Sequence, residues 1–139
     1  MHQVSERRIV VGVGASRGAP ADEVYALIEA VLAEAGLPPG CVAALATVDA
    51  KGGEPGITEA ARRLGGVPVV TYDAETLARI TVPTPSNAPL TAVGTPSVAE
   101  AAALASAPGG ELLVRKRKST PLAGRAPMAT AALARRRRG

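Results

Sequence analysis

The 139-residue sequence contains no phenylalanine and no tryptophan, and it has one histidine, one cysteine and two tyrosines. Each shortage excludes something. A single cysteine, Cys41, cannot form an internal disulfide and fits a reducing, cytoplasmic setting. One His and one Cys are too few for an ordinary zinc site, so no metal is expected, and no cofactor either. With His2 alone near the start, no Ser-His-Asp or Cys-His pair can be assembled. Any catalysis must use carboxylate, lysine, tyrosine or backbone groups. No apolar run approaches the about 18 residues of a membrane span. The polar stretch Met1 to Glu6 lacks the basic-then-apolar signature of a secretory signal. Without aromatic platforms, a single-strand nucleic-acid surface is not expected.

What is present is apolar bulk of small size. Hydrophobic residues make up 47% of the chain, enough for a core. Val, Leu, Ile and much Ala must fill it, which suits thin helices packed closely on a sheet. Charge is divided by position. Residues 1–114 hold seven Lys/Arg against twelve Asp/Glu, while residues 115–139 hold nine Lys/Arg and no acid. A specific nucleic-acid module would spread its basic residues across a folded face, so none is expected. The basic end can still meet an acidic partner or nucleic acid without specificity.

Ile9 to Val13 reads as a buried strand. Val24, Leu27, Ile28, Val31, Leu32 and Ala35 share one helix face; Pro20 opens that helix, Asp22 and Glu23 suit its positive end, and Gly36 stops it. Val42 to Val48 is a second buried strand. Ile57, Ala60, Ala61 and Leu64 mark a second helix, Val67 to Tyr72 a third strand, and Asp73 the cap of a short helix that buries Leu77 and Ile80. Residues 81–96, with Pro83, Pro85, Pro89 and Pro96, read as a long loop. Ser97 and Glu100 form a capping box before an alanine-rich helix reaching about Ala107, and Glu111 to Val114 begin another strand. Met128 to Leu133 fits either a helix or a final strand. The alternation predicts one α/β domain with a mostly parallel or mixed central sheet and helices on both faces. The expected limits are a flexible 1–7, a domain over 8–134 and a basic tail over 135–139.

Ligands of such sheets bind beyond the carboxyl ends of the strands; three polar, glycine-containing segments fall at or near that edge, and a basic run is a fourth candidate. Gly12-Val-Gly14-Ala-Ser16-Arg17-Gly18 lies between a strand and a helix. Gly14 and Gly18 let the backbone approach a ligand beside Ser16, N–H groups at the helix start attract an anion, and Arg17 adds a bidentate donor. The plain alternative is a tight strand-to-helix turn. Thr47-Val-Asp49-Ala-Lys51-Gly-Gly-Glu54-Pro-Gly56 offers Asp49 or Glu54 as a base and Lys51 as a donor, or else helix caps beside a solvated lysine. Ser86, Gly94, Thr95 and Ser97 bring hydroxyls and glycine to another helix start, where Ser97 also caps. In Arg115-Lys116-Arg117-Lys118, alternation turns two members toward a ligand, here Lys116 and Lys118, unless the run is a solvated edge.

The blocks V-G-V-G-A-S-R-G, A-A-L-A-T-V-D-A-K-G-G-E-P-G, V-P-T-P-S, A-V-G-T-P-S-V-A-E-A-A-A-L and L-L-V-R-K-R-K-S, in that order over about residues 8 to 134, resemble the CbiG/CobE C-terminal domain family. The resemblance implies a role in making the corrin ring of cobalamin. Larger members are cobalt-precorrin-5A hydrolases that open a lactone and release acetaldehyde, and carriage of a corrinoid is one role suggested for stand-alone versions. The implied ligand is a precorrin or cobalt-precorrin with many carboxylate arms, and the implied partners are other enzymes of that pathway. Lactone opening would use Asp49 or Glu54 as base and Lys51 or a backbone N–H as oxyanion donor. Relatives often carry Cys and Arg at the positions of Ala15 and Ser16, so a thiol role has no counterpart here. Hydrolysis is expected to need a partner for the N-terminal portion of the long hydrolases. The alternatives are a Rossmann-like nucleotide enzyme, disfavoured by the G-x-G-x-x-x-G spacing, and an accessory protein acting through Arg135 to Arg138.

Overall fold

Uninterrupted Val, Ala and Leu runs form strands because both faces of the sheet are covered. The computed structural model describes residues 8–80, 98–120 and 126–136. Among these residues there are five strands: β1 (Ile9–Ala15), β2 (Val42–Val48), β3 (Val69–Tyr72), β4 (Glu111–Lys118) and β5 (Ala129–Arg135). The α-helices among the described residues are α1 (Ala21–Glu34), α2 (Pro55–Arg63), α3 (Ala74–Ala78) and α4 (Val98–Ala105). The sheet order is β3-β2-β1-β5-β4. β1, β2 and β3 are parallel, β5 is antiparallel to both β1 and β4, and the sheet is therefore mixed, with β5 the one reversed strand.

Of the stretch 128–133, residues 129–133 thus resolve as strand, with Met128 just before it. Alanine favours a helix in isolation, but β5 is paired on both sides and its Ala131, Ala132 and Ala134 are buried. β1 outruns the expected Ile9–Val13 by two residues, since β5 pairs with it from Ile9↔Arg135 to Ala15↔Ala129. Gly14 is consequently a ladder residue rather than part of the turn. Ile80 is only half-buried, whereas Leu77 is fully buried. β5 includes Arg135, and the Arg136 N–H donates to the Arg8 carbonyl, so the sheet holds the first two arginines of the basic end.

The two faces carry separate cores. Val11, Val13, Leu45 and Leu133 meet Val24, Ile28 and Leu32 of α1 and Ile57 of α2 on one side. Val10 and Ala46 meet Leu77 of α3 and Ala101 and Ala102 of α4 on the other. Gly12 explains how closely α4 sits. A Cβ there would lie 1.9 Å from the Ala99 carbonyl oxygen and 2.7 Å from the Ala103 nitrogen. Only glycine lets the helix backbone rest directly on the strand.

Candidate functional site

The strand directions bring the ends of β1, β2, β3 and β4 and the start of β5 to one rim, together with the first turns of α1, α2 and α4. The first two loops touch. Gly18, in the left-handed region at φ 80°, donates its N–H to Glu54 Oε2 at 2.7 Å. Beside this bond Gly56 packs so tightly that a Cβ would lie 2.3 Å from the Ala19 oxygen. Segments 16–19 and 54–56 are therefore one surface. The α4 start adjoins it across β1, because a Cβ on Gly14 would lie 3.7 Å from Val98 Cβ and 2.8 Å from Thr130 Oγ1.

Ser16 is exposed and its N–H donates to the Met128 carbonyl at 2.8 Å. Arg17 is exposed. Asp49 and Lys51 share a 3-10 turn, Asp49 exposed and Lys51 half-buried. Lys116 and Lys118 lie on β4. Ser86, Gly94, Thr95 and Ser97 lie outside the described residues.

Four acidic side chains of the rim accept main-chain N–H groups. Glu54 takes Gly18; Glu23 takes Met128 at 2.9 Å as well as the Ser119 hydroxyl; Asp73 takes Thr76 at 2.7 Å; Glu100 takes Lys116 at 2.8 Å. Asp22 pairs with Arg63 at 2.8 Å. Hydrogen bonding to Thr76 holds the Asp73 carboxyl below its ordinary range. By contrast, Arg17, Lys51, Lys116 and Lys118 have no carboxylate partner among the described residues. Cations and helix starts therefore face outward from this rim beside the exposed acids Asp22, Asp49, Asp73 and Glu75, of which Asp22 and Glu75 are paired with arginines and Asp73 with a main-chain N–H.

Two residues of this rim carry more than their sequence reading suggests. Glu23 reads as a dipole-matched residue of the first turn, yet it joins α1 to Ser119 and Met128, the two sides of the β4–β5 connection. Thr47, fully buried at the end of β2, has a hydroxyl with no hydrogen-bond partner among the described residues. Neither has a sequence signal, since both depend on which strands become neighbours. No three His, Cys, Asp or Glu side chains gather as a metal site among the described residues.

Comparison with known proteins gives the family and the fold. The family model described as cobalamin synthesis G C-terminus matches residues 9–134. The chain belongs to that family. A crystal structure of CobE, a protein from the cobalamin (vitamin B12) biosynthetic pathway, matches with TM-score 0.76 and 35% identity over 92% of this chain and 93% of that one. The cobalamin biosynthesis protein chiG from Agrobacterium tumefaciens matches with TM-score 0.62 and 28% identity, covering 92% and 98%. A curated relative, protein CobE of Sinorhizobium sp, is 46% identical over 54 residues, which span 39% of this chain and 35% of that protein. By family this is a cobalamin-biosynthesis domain. The nucleotide alternative is set aside on the same ground. The structure adds a physical reason, since Gly12 lies within β1 beneath α4 and serves helix packing rather than a phosphate turn.

Proposed function

We propose that this cobalamin synthesis G family domain binds a precorrin or cobalt-precorrin through its carboxylate arms at the carboxyl rim, in the cytoplasm, and presents it to other enzymes of the pathway. The carrying observation is the charge arrangement. Glu23, Glu54, Asp73 and Glu100 are turned onto N–H groups, while Arg17, Lys51, Lys116 and Lys118 are left without carboxylate partners among the described residues. A macrocycle ringed by acetate and propionate arms requires several separated cationic points of this kind, with helix starts between them.

Titration with hydrogenobyrinic acid tests the reading. A saturable shift of its visible bands, weakened by salt and by Arg17→Ala or Lys51→Ala, is expected. No shift at high micromolar ligand overturns it. A hydrolase role has one observation of its own: Asp49 and Lys51 share a turn at this rim. Lactone opening that Asp49→Asn abolishes while ligand binding survives would establish that role.

A further inference from the structure

β4 ends in four consecutive cations, and alternation decides which of them reaches which face of the sheet. The register is irregular here. Pairing steps from Val114↔Leu133 to Arg117↔Ala131, so Arg115 and Lys116 together oppose one β5 residue. This is a bulge, and its extra residue reverses every side chain beyond it. Regular alternation from Val114, whose side chain is in the α1 core, would send Arg117 to the α4 side and Lys118 to the α1 side. The bulge does the opposite. Arg117 pairs with Glu34 of α1, and Lys118 lies opposite Thr130, which neighbours Gly14 and the start of α4.

The bulge leaves the Lys116 N–H without a ladder partner, and Glu100 supplies one. Its side chain, 0% exposed in the first turn of α4, accepts that N–H at 2.8 Å. Burying a carboxyl among alanines is costly, and a main-chain donor together with the positive end of a helix offsets the cost. The bond couples the placement of α4 to the register of β4.

We infer that Glu100 is a positioning residue that holds the β4 bulge and so delivers Lys118 to the α4 side of the rim, where its ammonium meets one carboxylate arm of the ligand. The inference rests on the corrinoid-binding reading and specifies which cation that reading uses on this side.

The test is a double-mutant cycle read by hydrogenobyrinic acid affinity, with wild type, Glu100→Ala, Lys118→Ala and the double variant. Lys118→Ala should weaken binding about fivefold, the scale of one exposed ion pair. Glu100→Ala should weaken it similarly, and the double variant no more than either alone. Glu100→Gln, whose amide oxygen still accepts the N–H, should bind as wild type does. Additive losses, or an unaltered affinity in Lys118→Ala, overturn the inference while leaving the corrinoid reading in place. Absence of any band shift with wild type removes both. Should Glu100→Ala fail to fold, amide exchange in the wild-type protein decides: the Lys116 N–H must be protected although β4 is an edge strand, and rapid exchange there refutes the role.

Discussion

The two faces of this sheet obey different volume rules. On the α1/α2 side, Ile28, Leu32, Ile57, Leu45 and Leu133 interlock through side chains with rotamers to spare. On the α4 side, Ala99, Ala101, Ala102 and Ala103 face Gly12, Ala46 and Val10, so backbone distance is set by atoms that cannot rotate away. The first face can absorb a small change of shape; the second cannot. That rigidity places the α4 start, and with it Val98 and Glu100, relative to β1 and β4.

One carbon should expose the difference. Gly12→Ala adds a single methyl where the Ala99 oxygen leaves 1.9 Å, and it should destabilise by about 3 kcal/mol, the upper end of overpacking. Ile28→Val removes a single carbon on the other face and should cost about 1 kcal/mol. Urea midpoints of both variants measure the contrast, and equal losses would refute it. At the rim, Glu54→Ala frees the Gly18 N–H to water and should cost stability less still, below about 1 kcal/mol, because the pair is exposed. Its larger effect should be on hydrogenobyrinic acid binding, since the contact joins the first two loops.

Much of this was legible in the sequence because it is local. The α1 stripe from Val24 to Leu32, the β2 run Val42 to Val48 and the Asp73 cap all appear as read, each decided by residues within a few positions of one another. The alanine-rich β5 was ambiguous because its strand state comes from β1 and β4 on either side, at sequence distances no window spans. The same holds at the rim. Asp49, Lys51 and Arg17 announce themselves as charged residues in glycine loops. The inward turn of Glu23 onto Met128, 105 residues away, and the reversal of Lys118 by a bulge could not be read. Glu54 illustrates the overlap: posed as a base or a cap, it accepts the Gly18 N–H and ties two loops together.

The smallest effect concerns acid, and it separates α1, α2 and α3, whose carboxyls are held low, from α4. Hydrogen bonds from Arg62 and Arg63 hold the Glu59 carboxyl at about 2 against an ordinary 4.5, and Arg117 holds Glu34 below its ordinary value in the same way. Both pKa values are lower folded than unfolded, so their contribution is complete above the ordinary carboxylate range. It is lost as pH falls from about 4.5 toward 2. Both groups lie on helices of the α1/α2 side. Urea midpoints should therefore decline over that interval, and Glu59→Gln should flatten part of the decline. The pairs are solvent-exposed, so the change should be modest and reduced further by salt. Hydrogen exchange at low pH should rise first along α1 and α2 while α4, seated on Gly12 by backbone contact, keeps its protection. Earlier exchange in α4 would mean that tight backbone approach is not what stabilises that face.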